Sequence, residues 1–349
     1  TLMWCDDNYG YLTRLSDSLQ QKRSGGAGVY YHLSYWGRPH DYLWLTTTQP
    51  GLICNEMKTA YDHNARRLWI LNVHDPKVAA YGMSLFLDMA WNINCVSPST
   101  VGNHLHAWLA QQFGQAAASK LLPAMKSFYR LCGIRRPEFM GWSQVELDKQ
   151  KYNRGLSPMS DTEFAADEFG NELERYLNSY EDIKAQVAEA EKLIRPELAD
   201  AFFAAIKYPV FSAAAMATKT LQAQEARHIG RPDSFNSDEE ALDAALRSYN
   251  AYQEILSLTE YYNNRMSGGR WRGSMSCAPR KLPVFGEPLF PAPLSEDNKN
   301  SHAPAAPIET KLQTDGCIVR NACQWHSASA GAYVVDLLGH SNKAVALPK

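Results

Sequence analysis

LWILNV, residues 68–73, is the stretch on which the reading of the fold turns. It holds no polar side chain before Asn72, follows Ala65-Arg66-Arg67, and gives way at once to His74, Asp75 and Pro76. A run this short, apolar on both sides rather than alternating, describes a strand in a sheet covered on both faces. Two earlier runs have the same character, residues 1–4 (TLMW) and 29–33 (VYYHL). Between the three lie segments with helical spacing, roughly 11–23 and 51–64. Strands that alternate with such helices form βαβ units and a parallel sheet. Residues 1–92 are therefore expected to be an α/β unit.

Beyond residue 93 the pattern turns to helix, expected through residue 267. Phe169, Leu173, Tyr176, Tyr180, Ile183, Val187, Ala190 and Ile194 recur in steps of four and three, an amphipathic stripe. Ser160 and Glu163 have the spacing of a capping box before it, and Ser237 and Glu240 repeat that spacing before Leu242, Leu246, Tyr249, Tyr252, Ile255 and Leu256. Pro196 suits the first turn of a helix through ELADAFFAAIKY. Residues 268–310 are rich in proline and polar tracts and read as a linker. Residues 311–349 read as the start of a β domain. The chain opens inside a strand, which reads as a fragment of a longer protein.

Composition narrows the function. Among 349 residues, 45% are hydrophobic and 21% charged, with a formal net charge of -2, so no basic surface for nucleic acid is expected. No uninterrupted apolar stretch approaches the length of a membrane span. Seven cysteines (5, 54, 95, 132, 277, 317 and 323) form no CxxC pair, which excludes a compact zinc motif.

The three strand runs end in polar groups. The first leads into Asp6, Asp7 and Asn8, the second carries His32 and leads to Tyr35, and the third ends with Asn72, His74 and Asp75. In parallel β/α folds the carboxyl ends of strands converge on the ligand site. A single aspartate or asparagine there is usually a turn former or helix cap. Three coincident ends point to a site, with Asp7 left as a cap. The glycine run SGGAGVYYH (24–32) precedes a strand, whereas a phosphate cradle follows one, so no nucleotide is expected. His32, His40, His74 and Asp75 match no compact metal-ligand spacing, and no metal is expected. Cys5, beside carboxylates, is a poor nucleophile. The aromatic residues that crowd the segment are mostly core, with a subset able to stack on sugar rings.

WCDDNYGYLTRL (4–15), SGGAGVYYHLSYWGRPHDYLWL (24–45), ARRLWILNVHDPK (65–77) and DMAWN (88–92) closely resemble glycoside hydrolase family 115, the xylan α-1,2-glucuronidases. The likeness continues through KYPVF (207–211), MSGGRWRGSMSCAPRKLPVF (266–285) and LLGHSNKAVALP (337–348). It implies the C-terminal part of a (β/α)8 barrel over 1–92, a helical bundle domain, and the start of a β-sandwich. It also implies removal of (4-O-methyl)glucuronic acid from α-1,2 branches of glucuronoxylan with inversion and without a cofactor. Carried over by position, Asp6 is the catalytic or substrate-contacting carboxylate, and Asn8, His32, Tyr35 and Asn72 are substrate-binding. His74 departs from the family, which more often has glycine there. The general acid and base are expected largely upstream of Thr1, so the fragment alone is expected to be inactive. The substrate class implies secretion, and the helical and β portions offer surfaces on which a homodimer could form. Two other readings share these residues: a different β/α-barrel hydrolase, and a carbohydrate-binding protein without the acid–base pair.

Overall fold

The computed structural model describes residues 1–37, 41–140, 164–165, 168–229, 238–279 and 283–288. Three strands, β1 (Leu2–Cys5), β2 (Ala27–His32) and β3 (Trp69–Asn72), form a parallel sheet in the order β1-β2-β3. The register sets Cys5 beside Tyr30, and His32 beside Asn72. Gly28 makes that register possible, because a Cβ there would stand 2.2 Å from the Leu68 carbonyl oxygen. Any larger residue would push β3 away.

The two faces of the sheet differ. Val29, Tyr31 and Leu33 are buried under α1 (Pro50–Asp62) and α2 (Ala80–Trp91), where Phe86 lies against both Tyr31 and Trp69. On the other face Met3 is 37% and Ile70 42% exposed, Cys5 is exposed, and Tyr30 is half-buried. Parallel sheets bury both faces. Among the described residues this one buries only one, and the outer edges of β1 and β3 pair with no strand.

Helices follow, as expected: α3 (Val101–Phe113), α4 (Gln115–Ile134), α5 (Glu172–Glu191), α6 (Tyr208–Ile229) and α7 (Asp238–Asn264). One apolar core runs from Val29 and Tyr31 through Leu109 and Phe128 to Tyr208 and Tyr262. Each large apolar side chain fully buried in it contributes roughly 1.5–3 kcal/mol. The stripe on α5 is as read, with Leu173, Tyr176, Tyr180, Ile183, Val187 and Ala190 all buried. Phe169 is not part of it: Phe169, Gly170 and Asn171 all have positive φ, the helix starts only at Glu172, and Phe169 is exposed. A helical run leads from Ala199–Phe202 through a wide π turn, Phe203–Lys207, into α6. Pro209 has no N–H to donate back along the helix, and the wide turn takes up the mismatch. The run Pro196–Ala226 is long and apolar enough to cross a membrane by composition, but 72% of its most apolar window is buried inside the molecule, as a core helix is.

Two expectations fail for identifiable reasons. Residues 11–23 form no α-helix, only a 3-10 turn at Gln20–Lys22. Bonds to distant residues and a local cap take the backbone and side chains a helix would use. Leu12 donates its N–H to Glu56 (2.8 Å), Trp4 Nε1 donates to the Ser16 hydroxyl (2.8 Å), and Asp17 caps the N–H groups of Leu19 and Gln20. On α7 the leucines were misplaced: Leu242, Leu246 and Tyr249 are exposed, while Ala244, Ser248, Ala251, Ile255, Thr259 and Tyr262 are buried. Small residues let α7 lie close to α6, and the Ser248 hydroxyl donates to the Lys219 carbonyl at 2.5 Å.

Lys219 itself is buried and donates to the carbonyls of Val284 (2.8 Å) and Gly286 (2.6 Å), holding the segment after α7 against α6. Burial pushes its ammonium down to about 8. Ser160, Glu163, Ser237, His40, most of the expected linker and the whole of 311–349 lie outside the described residues.

Candidate functional site

The loops after β1, β2 and β3 leave the sheet on one side, at the carboxyl ends of the strands. They bring Asp6, Asn8, His32, Tyr35 and Asn72 to that side, with Asn72 beside His32 in the register.

The first loop winds round a carboxylate. Asp6 accepts the backbone N–H groups of Asn8 (3.2 Å), Gly10 (3.1 Å) and His32 (3.0 Å). Its Oδ1 also receives Nδ1 of His32 at 2.5 Å. Turning those N–H groups inward requires left-handed backbone at Asn8 (φ 75°) and Gly10 (φ 105°). Asparagine tolerates that region better than most residues, and glycine without cost. The Gly10 carbonyl accepts the buried Tyr31 hydroxyl at 2.9 Å, so the turn is tied to the sheet core. Asp7 closes the loop from its other side, accepting the N–H groups of Tyr9 (2.9 Å) and Tyr11 (3.0 Å).

Asp6 is thus placed differently from a carboxylate at an open mouth. Its side chain has no exposed surface, and both oxygens are occupied. Its one side-chain partner among these strand-end residues is His32. A carboxylate surrounded by N–H donors acts as acceptor, so Nδ1 carries the proton in this pair and Nε2 is the nitrogen left for a ligand. Nε2 makes no hydrogen bond among the described residues. Tyr30 lies 4.6 Å from His32 between ring centroids, and Tyr35 meets it edge-on at 5.7 Å. Asn8, Tyr35 and Asn72 are half-buried. Imidazole, phenol and two carboxamides at this end can donate to and accept from hydroxyls and a carboxylate, while the aromatic edges meet apolar ring faces.

A second layer supports these loops. Tyr9, Tyr42 and Phe139 form a small buried cluster against which Tyr35 packs. Tyr35 and Tyr42 exchange backbone hydrogen bonds at 2.8 and 2.7 Å. Arg136 Nη2 donates to the Tyr9 carbonyl at 2.6 Å, and its guanidinium lies 4.5 Å from the Tyr42 ring. Glu138 is fully buried and accepts the Leu45 N–H (2.8 Å) and, more distantly, the Thr47 hydroxyl (3.4 Å). Burial pushes its carboxyl up to about 7, against the opposing pull of the Leu45 N–H, Arg136 and Thr47.

Sequence reasoning missed Tyr30, Arg136 and Glu138. Tyr30 could have been found by alternation, since it shares a strand face with His32. His74 is exposed, and Asp75 is structural: it caps the Lys77 N–H (2.9 Å) and accepts the Tyr262 hydroxyl (3.4 Å). Among the described residues no group of three His, Cys, Asp or Glu side chains could hold a metal ion. An open cleft of about 520 Å³, lined by Leu12, Arg14, Ser16, Gln21, Thr59 and His63, includes none of the five strand-end residues.

Residues 1–139 match the family described as glycosyl hydrolase family 115. A solved structure described as "A novel family GH115 4-O-Methyl-alpha-glucuronidase, BtGH115A, with specificity for decorated arabinogalactans" is 40% identical, with a TM-score of 0.70. The match covers 84% of this chain and 37% of that one, so the chain spans a little over a third of that protein's length. No curated protein matches.

Proposed function

From the match of residues 1–139 to glycosyl hydrolase family 115, we infer that the chain is part of an α-glucuronidase that acts on a decorated polysaccharide. The three strands supply one side of a (β/α)8 barrel, whose remaining strands cover the exposed Met3, Cys5 and Ile70 face and pair with the free edges of β1 and β3. The observation that carries the reading is the convergence of Asn8, His32, Tyr35 and Asn72 at adjacent strand ends.

In this reading the four side chains hold the uronic acid, and His32 presents Nε2 to its carboxylate or ring hydroxyls. Asp6 positions His32 through Nδ1. Inversion needs a general acid and a general base about 6.5–9.5 Å apart, with a water between the base and the sugar. Asp6 and Asp7 are both committed to N–H groups of their own loop, so the acid–base pair comes from other strand ends of the barrel. The bond cleaved is the α-1,2 linkage of (4-O-methyl)glucuronic acid, and the backbone bearing it is glucuronoxylan. A secreted enzyme would meet that substrate. A second backbone has a specific observation in its favour, because the 40% identical structure belongs to an enzyme described as specific for decorated arabinogalactans.

The test is uronic acid release from both polysaccharides by the protein that contains this chain, beside its His32→Ala variant. Release by the parent and its loss in the variant would support the activity and the site. Binding to either polysaccharide without release would leave a carbohydrate-binding protein and end the hydrolase reading.

A further inference from the structure

We propose that Arg136 is a positioning residue for the sugar-binding loops, holding the loop after β1 in the conformation that aims Asn8 and His32 at the substrate; the proposal rests on the glycosidase reading of that site. Arg136 lies just beyond the end of α4. It reaches 127 residues back along the chain to the Tyr9 carbonyl, at 2.6 Å. The Tyr9 carbonyl shares its planar peptide with the Gly10 N–H, which donates to Asp6 at 3.1 Å, so holding that carbonyl fixes the turn that carries the strained Asn8 and closes on the Asp6–His32 pair.

The same guanidinium touches the second loop. It lies over Tyr42, whose backbone is paired with that of Tyr35, and Tyr35 meets His32 edge-on. Phe139 meets Tyr9 edge-on at 5.6 Å, and Tyr9 meets Tyr35 edge-on at 5.8 Å. The short turn Pro137–Phe139 therefore underlies both loops at once, with Glu138 fixing the backbone at Leu45.

Stability alone does not account for arginine here. Its other terminal nitrogen, Nη1, is buried without a hydrogen-bond partner, and an unpartnered buried donor weakens a fold. What the residue supplies is a charged, planar donor under a left-handed turn, and lysine cannot reproduce that geometry.

The experiment uses Arg136→Ala and the milder Arg136→Lys in the whole protein, and reads two signals. Hydrogen exchange should quicken in peptides covering residues 6–12, more in the alanine than in the lysine variant, while peptides from α5 stay unchanged. On the polysaccharide the parent cleaves, kcat/KM should fall on the order of 10- to 100-fold, the cost of misplacing contacts by about 1 Å. Guanidinium ion added to the alanine variant should restore part of the rate. Unchanged exchange at 6–12 in either folded variant would overturn the proposal, as would unchanged kcat/KM in an active parent. Quickened loop exchange in a parent that releases no uronic acid would uphold Arg136 as the clamp on the loop and remove the glycosidase reading instead.

Discussion

Replacing Glu138 by glutamine should remove a pH slope from the stability of this protein. The carboxyl is fully buried and is pushed from 4.5 up to about 7. In the unfolded chain it ionises near 4.5; in the folded chain it keeps its proton to about 7. Between those values the folded state holds one proton more, so stability falls as pH rises, by about 1.4 kcal/mol per unit. Over the window the loss amounts to about 3 kcal/mol, and above pH 7 the curve levels. Glutamine keeps an oxygen for the Leu45 N–H and carries no charge, so the variant should lack this slope. Denaturant titrations of both proteins between pH 4.5 and 7.5 would show the variant gaining about 3 kcal/mol on the wild type across the window. Parallel curves would refute the argument, because they would mean that the folded and unfolded chains bind this proton equally well.

Two further outcomes follow from the packing. Gly28→Ala sets a methyl group 2.2 Å from the Leu68 carbonyl, and should separate β3 from β2, costing at least about 1–3 kcal/mol in thermal or denaturant unfolding. Lys219→Met removes both hydrogen bonds to Val284 and Gly286; limited proteolysis should then cut within 283–288 faster, with helical circular dichroism unchanged.

The parts of the fold that could be read from the sequence are those whose signal is local. The strands were legible because each is a short unbroken apolar run, and α5 because one stripe of large side chains meets the core. On α7 the contact is made by Ala244, Ser248 and Ala251, whose smallness is what lets the helices approach, so the leucines drew attention to the wrong face. The segment 11–23 has helical spacing, but Glu56 and Trp4 hold it in another shape, and both partners lie outside it. The site divides in the same way. That the candidate residues gather at strand ends could be inferred, since the runs end in polar residues. That Asp6 turns inward to His32 could not, because the bond joins residues 26 apart and depends on the β1–β2 register. Arg136 and Glu138 gave no signal at all, two charges in a turn whose burial comes from distant loops.

The hydrogen bonds that join sheet to helices also bear on how the protein is made. Trp44 must wait for Tyr208, and Asp75 for Tyr262, which is 187 residues further along. At about 5–20 residues per second on the ribosome, the second partner arrives roughly 10–40 s after the first. By contrast, α6 and α7, joined by a short connection, can pair within microseconds to milliseconds once both have emerged. Through that interval the side of the sheet carrying Val29 and Tyr31, with Trp44 in the same core, has only the early helices over it. A nascent chain paused there presents apolar surface to its neighbours, and it is at that stage of synthesis that a holding chaperone would have something to bind.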